Sequence, residues 1–208
     1  MSPTVTVAGL AWRLAAWDTP FWVHPNRAAG RFNPPATGPV QYWSLHPLTP
    51  WAELLRGQGV TQRERLRDVR SRLWVARVRV EAMELDFAAA PELGLEPADL
   101  VADDRSACQR LGERCLAGDG PAALVVPSAA LPGTRNLVIF GPRVASPFAA
   151  DPVDPDLDVP TTVAAEDARP VDGLLDLVRF RGVPHAELEA WTAGRPFRLE
   201  EPPLPLPR

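Results

Sequence analysis

The chain has 208 residues and no lysine; all 22 of its basic residues are arginine. A GC-rich coding sequence, which favours Arg, Ala, Pro and Gly codons, is the plain explanation. The absence still excludes chemistry: no Schiff-base lysine and no P-loop lysine can act here. Cysteine is almost as scarce, with Cys108 and Cys115 alone. Both fall in a segment that reads as a helix, Asp104 to Leu116. Seven residues at ~1.5 Å rise set them roughly 10 Å apart, beyond the ~7 Å reach of a disulfide. They share a face with Leu111 and are expected to be buried core thiols. The three histidines (His24, His46, His185) show no metal-ligand spacing, so no metal site is expected. No run of eighteen apolar residues occurs, and the start Met-Ser-Pro-Thr has no basic and apolar leader pattern. The expectation is a soluble, reduced, cytoplasmic protein without membrane contact. A net charge of -4 argues against a general basic field for nucleic acid. Internal repeats are also lacking.

What is present suits a globular protein with a real core: 46% of residues are hydrophobic and 23% charged. A first strand is expected over residues 8–16, with Arg13 among apolar neighbours. A proline- and glycine-rich loop follows, then a short strand from Val40 to Leu45. Thr49-Pro50-Trp51 reads as a helix start, with Thr49 as cap and Pro50 at the first helical position. That register puts Glu53 in the first turn, near the positive end of the helix dipole. Thr61 to Arg70 reads as a short polar helix. Leu73 to Val80 alternates, with Trp74, Ala76, Val78 and Val80 on one face. Ala122 to Val126 and Asn136 to Phe140 read as strands of a buried sheet. Beyond Phe148 the composition shifts. Asp151 to Pro170 reads as a linker or surface arm, Val171 to Phe180 and His185 to Trp191 as short helices, and Glu201 to Arg208 as a polyproline-like tail. The expected division is a domain over 1–148 and an extension over 149–208.

Polar residues concentrate in the first quarter. Gly30-Arg31-Phe32-Asn33-Pro34-Pro35 is followed by Tyr42-Trp43-Ser44 and by Glu53. A guanidinium fork such as that of Arg31 grips phosphate oxygens in pairs, and an adjacent glycine lets backbone approach a ligand. Arg13 in an apolar strand needs an anionic partner: Asp18, Glu53 or a ligand phosphate. Tyr42 is the only tyrosine. Its ring face suits a flat cation, although a core tyrosine with a satisfied hydroxyl would look the same. Ser44 shares the Tyr42 face by period two, and Trp43 points the other way. Glu53 could stabilise a sugar cation, as carboxylates do in glycosidic cleavage. No Gly-x-Ser-x-Gly surrounds Ser128, which excludes a serine-hydrolase elbow there.

Together with Trp12-Arg13, Ala52-Glu53, Val126-Pro127-Ser128 and Asn136, these motifs resemble the RES domain, a bacterial toxin family. The resemblance covers roughly residues 8–148. It implies an α+β fold: an ADP-ribosyltransferase-like core of short, mostly antiparallel strands with flanking helices, here with a Pro-rich C-terminal extension. It implies NAD+ as substrate, cleaved at the nicotinamide–ribose bond by phosphorolysis or hydrolysis, or used for ADP-ribose transfer. Inorganic phosphate is a co-substrate in the phosphorolytic case, and no resident cofactor is implied. The expected catalytic residues are Glu53 for the sugar cation, Arg31 for the pyrophosphate or adjoining ribose, and Tyr42 for the nicotinamide ring. Arg13, Ser44, Ser128 and Asn136 are the expected substrate-binding set. The implied partner is an Xre-type helix-turn-helix antitoxin; a homo-oligomer is compatible with all of this. Protein ADP-ribosylation and a non-catalytic NAD-binding module on the same scaffold stand as alternatives.

Overall fold

The computed structural model describes residues 4–15, 28–141 and 167–201, and the backbone of 149–152 and 161–162. Five strands form a sheet that closes on itself: β1 (Thr4–Leu14), β2 (Val40–Ser44), β3 (Leu73–Glu84), β4 (Ala123–Pro127) and β5 (Arg135–Phe140). Their order is β1-β2-β5-β4-β3, and β3 returns to β1. The β1–β3 ladder is long and antiparallel, from Thr4↔Met83 to Leu14↔Leu73. β2–β5 and β4–β5 are also antiparallel. The β3–β4 pairing is parallel, through Met83↔Leu124 and Glu84↔Val125. The seam is narrow: β1 and β2 meet at one pair, Trp12↔Ser44.

Period-two alternation explains the closure. One apolar cluster draws on all five strands: Ala11, Trp43, Ala76, Val78, Val125, Leu137 and Ile139. The opposite faces of the strands are covered by helices. α1 (Thr49–Gln58) packs Trp51, Ala52 and Leu55 with Leu73 and Val75, against Leu10, Trp12 and Leu14. The polar helix expected over Thr61 to Arg70 is only the single turn α2 (Arg63–Leu66). On the other side, α3 (Ser106–Ala117) packs Cys108, Leu111 and Cys115 against Leu124, Val126, Val138 and Phe140. Both thiols are buried and free, as their spacing implies. The mixed helix and strand content is the expected α+β class.

Parts of the segment expected as a linker or surface arm form strands. Ala149–Pro152 forms β6, paired with β3 at Trp74↔Pro152 to Arg77↔Ala149. Thr161–Thr162 (β7) pairs with Arg169–Pro170 (β8). Ala168, Val171, Leu174 and Val178 then enter the α1 cluster. Backbone pairing, which composition does not reveal, holds 149–152 on β3 and 161–162 on 169–170. Leu174–Asp176 is a 3-10 turn instead of the expected longer helix, and α4 (Ala186–Thr192) follows. The domain division expected at 148, Asp18, and the tail from 202 onward lie outside the described residues.

α3 also meets the loop that carries Arg31. A Cβ on Gly112 would lie 1.8 Å from the Phe32 carbonyl oxygen, whereas one on Gly57 of α1 would meet nothing within 4 Å. Gly112→Ala should therefore lower the melting temperature by pushing backbone apart. Gly57→Ala should raise stability by up to about 1 kcal/mol through helix propensity. Thermal unfolding of the pair checks this; equal shifts would contradict the packing.

Candidate active site

A cavity of about 390 Å³ opens beside the β1–β2 seam. Arg13, Arg31, Tyr42, Ser44, Glu53 and Asn136 all line it, so the structure gathers six of the seven expected residues. Ser128 is the exception. It is fully buried and stands behind Glu53 instead of facing the cavity.

Glu53 sits on α1, but one place further along than the sequence suggests. Leu48 is the cap, Thr49 opens the helix, and no acidic residue lies in the first turn. The cause is a turn at His46: its Nδ1 accepts from Leu48 N–H, and its carbonyl accepts from Thr49 N–H. The Thr49 hydroxyl, freed from capping, donates to Thr134 Oγ1 at 2.9 Å. Helix-dipole attraction therefore does not explain Glu53. Side-chain donors do. Ser128 Oγ donates to Glu53 Oε1 at 2.8 Å, and Asn136 Nδ2 donates to the same oxygen at 3.3 Å. Asn136 Oδ1 accepts from Ser44 Oγ at 2.9 Å, which fixes the amide's orientation. Ser128 Oγ in turn accepts from Ala130 N–H and Leu131 N–H at 3.2 and 3.1 Å. With both lone pairs used, its proton must point to Glu53. Glu53 Oε2 has no hydrogen-bond partner among the described residues.

The Arg31 loop is latched from two sides. Gly30 N–H donates to the Asn33 carbonyl at 2.9 Å. Tyr42 hydroxyl donates to Asn33 Oδ1 at 2.8 Å and accepts from Phe32 N–H at 3.0 Å. A Cβ on Gly30 would lie 2.6 Å from that hydroxyl, so glycine is required for close approach. From α3 and its cap, Gln109 Nε2 donates to the Gly30 carbonyl at 3.0 Å and Arg105 to the Ala29 carbonyl at 3.1 Å. Burial pushes the Tyr42 phenol far above its usual pKa, so it stays protonated. Its ring, not its hydroxyl, is what remains for a ligand. Arg31 donates to the carbonyls of Asp99 and Ala102 at 3.1 and 2.7 Å, which orients the guanidinium at the wall. Burial lowers its pKa; Cys108 and Glu53 oppose that, while Arg56 and Arg105 add to it. Arg13 stacks over Trp43 at 5.8 Å, and burial lowers its pKa to about 10.

Sequence reasoning missed two cavity arginines. Arg56 follows Glu53 by three residues on α1, about one helical turn on, and that spacing is a usable signal. It pairs with Asp103 at 2.6 Å, and Asp103 also receives Arg179 at 2.8 Å. Burial alone would raise the Asp103 carboxyl, but Gly182 N–H, Arg179 and Arg56 hold it below the usual range. Arg105 also lines the cavity and has no pattern that singles it out. Among the described residues the lining thus carries four arginines, one of them paired with Asp103, and the carboxylate of Glu53, an arrangement that favours an anionic ligand. Neither thiol lines the cavity, and burial pushes Cys108 and Cys115 each up to about 11, which disfavours the thiolate.

Comparison with known proteins identifies the family. The RES domain profile matches residues 10–162, and the chain belongs to that family. It is 30% identical over 145 residues to a "probable NAD(+) phosphorylase" of Mycobacterium tuberculosis, covering 67% of this chain and 68% of that protein. A chain of the crystal structure of the M. tuberculosis MbcT–MbcA toxin–antitoxin complex matches with a TM-score of 0.58. That match has 22% identity and covers 73% of this chain and 87% of that one, which establishes a shared fold.

Two measurements test the site's construction. Ser128→Ala leaves two buried N–H groups without their acceptor and should cost about 1–3 kcal/mol in denaturant unfolding. His185 donates Nε2–H to the Ser128 carbonyl at 3.0 Å and accepts Leu188 N–H on Nδ1 at 3.3 Å, which is the neutral ring. Burial lowers its pKa; the Ser128 carbonyl and Glu187 oppose this, and Arg179 and Arg31 add to it. The unfolded chain therefore protonates first as pH falls. This histidine's share of stability is complete above about pH 6.5 and is lost on acidification below it. Between about pH 7.5 and 5.5, the wild type should lose more stability than His185→Gln; equal losses would contradict it.

Proposed function

We propose that this chain cleaves the nicotinamide–ribose bond of NAD+, by phosphorolysis in the first instance. One observation carries the reading: a carboxylate oxygen, Glu53 Oε2, held at an arginine-lined cavity by donors that act on its other oxygen. As the C–N bond breaks, its electron pair passes to the pyridine nitrogen, and nicotinamide leaves neutral. Positive charge grows on the ribose. A carboxylate already fixed beside it stabilises that charge without reorganising. A phosphate oxygen then bonds to the ribose carbon from the other side, giving ADP-ribose 1-phosphate. Arg31 and Arg13 would hold the pyrophosphate, and the Tyr42 ring would face the nicotinamide. Ser44 and Asn136 would serve the ribose end, with Ser128 supporting Glu53 from behind.

The M. tuberculosis relative's name supports phosphorolysis over hydrolysis. We infer further that the core is of the ADP-ribosyltransferase kind and that the protein acts in the cytoplasm. Among the described residues no helix is long and apolar enough to cross a membrane. The toxin–antitoxin title of the structural neighbour supports an antitoxin partner, which we take to be of the Xre helix-turn-helix type.

The test is nicotinamide release from NAD+ by purified protein, with and without phosphate. Release should rise with phosphate and yield ADP-ribose 1-phosphate. Glu53→Gln should lower it by about 10²-fold or more. No release by the wild type, or full release by the variant, would overturn the reading. ADP-ribose on lysate proteins with no free phosphorylated product would indicate transfer instead.

A further inference from the structure

The segment from Asp167 to Glu201 lies beyond the family-matched residues, yet it grips the loop that holds Glu53. That loop runs from Ser128 to Thr134, between β4 and β5, and Arg135 opens β5. Four contacts converge on these residues. His185 Nε2–H donates to the Ser128 carbonyl at 3.0 Å. Arg179 N–H donates to the Ala130 carbonyl at 2.8 Å. Glu187 Oε2 accepts Gly133 N–H at 2.8 Å, and its Oε1 pairs with Arg135 at 2.7 Å. His185 and Glu187 are 3% and 7% exposed, so both side chains reach the loop from the interior. Ser128 is the common member: its carbonyl accepts from His185 Nε2–H, and its hydroxyl donates to Glu53 Oε1.

We propose that this C-terminal segment is a clamp that sets the position of the Glu53 carboxylate, with His185 as its principal positioning residue. The inference rests on the reading of Glu53 as the group that faces the ribose. The physical argument is one of tolerance. A hydrogen-bonded carboxylate can stabilise a nascent cation only if its oxygen is already in place, and a small misplacement is costly. The loop bearing Ser128 has no helix of its own to fix it. The loop bonds to itself through Ser128 N–H to the Thr134 carbonyl and Thr134 N–H to the Leu131 carbonyl, while the clamp takes the Ser128 and Ala130 carbonyls and Gly133 N–H; these three outside ties let the clamp's geometry reach Ser128 and then Glu53.

His185 has two separable tasks, and two variants divide them. It caps α4 through Nδ1 and reaches Ser128 through Nε2. Asparagine is a good helix cap and can replace Nδ1, but it is too short for the Ser128 carbonyl. Glutamine can place its amide where Nε2 stood, but it caps poorly. His185→Asn should stay folded yet lose about tenfold in kcat for nicotinamide release, with KM for NAD+ nearly unchanged. His185→Gln should keep kcat within about threefold of wild type despite lower thermal stability. A merely structural role predicts the reverse order, with activity following stability, and that result would overturn the proposal. Hydrogen exchange supplies an arm independent of turnover. The Ala130 and Leu131 amides should exchange faster in His185→Asn while β3 amides keep wild-type protection. Unchanged exchange at Ala130 and Leu131 would also overturn the clamp. If wild-type protein releases no nicotinamide, the functional reading fails, and the exchange arm still decides whether the clamp exists.

Discussion

A serine hydroxyl can donate one hydrogen bond and accept two, and Ser128 does all three. That saturation makes the Ser128–Glu53 bond the constraint on which the site depends. Two backbone N–H groups fix where the oxygen is and which way its proton points. Glu53 then has one oxygen held, and its other oxygen has no hydrogen-bond partner among the described residues. Asn136 reinforces the same oxygen, and Ser44 settles the Asn136 amide. The chain of donors runs from β2 through β5 to α1, so the carboxylate is referred to the sheet instead of to its own helix.

The opposite wall is built by a second latch of the same kind. Tyr42 spends its hydroxyl on the Arg31 loop, and α3 with its cap adds Gln109 and Arg105. Both latches start from β2, where Tyr42 and Ser44 point to the same side. They also stand beside the place where the closed sheet is joined by a single residue pair. A continuous ladder there would fill the gap with backbone pairing. The narrow seam leaves an opening, and the arginines of β1, α1, the α3 cap and the Arg31 loop surround it. Beyond burial, Arg56 and Arg105 each lower the pKa of Arg31, and Asp103 offsets the charge of Arg56.

Much of this is legible in the sequence, and the reasons differ by residue. Tyr42 and Ser44 fall on one face because strand period fixes side-chain direction without any tertiary knowledge. Helical spacing marks Cys108, Leu111 and Cys115 as a buried stripe in the same way. The company of Arg31 and Tyr42 singles out Glu53, but the helix-dipole explanation for it fails. A single turn at His46 moves the helix start by one residue, and no propensity scale encodes that. Asp151 and Pro152 look like linker because their composition is turn-like, whereas their tie to β3 is through backbone pairing that side-chain composition does not report.

The sequence by itself determined the inventory: arginine as the sole basic residue besides histidine, one tyrosine, one well-placed glutamate, and the periodicities that assign each strand face. It also carried the family resemblance, since residue types in order need no coordinates. Only the tertiary structure decided where these residues lie. It put Ser128 behind the carboxylate instead of in the cavity, spent the Tyr42 hydroxyl on a loop, brought Arg56 and Arg105 to the cavity, and set His185 on the Ser128 carbonyl. Those outcomes depend on contacts between distant positions: Ser44 and Asn136 are 92 residues apart, and Ser128 and His185 are 57 apart. Local periodicity has no term for such distances; they are fixed only when the sheet closes and the helices cover it.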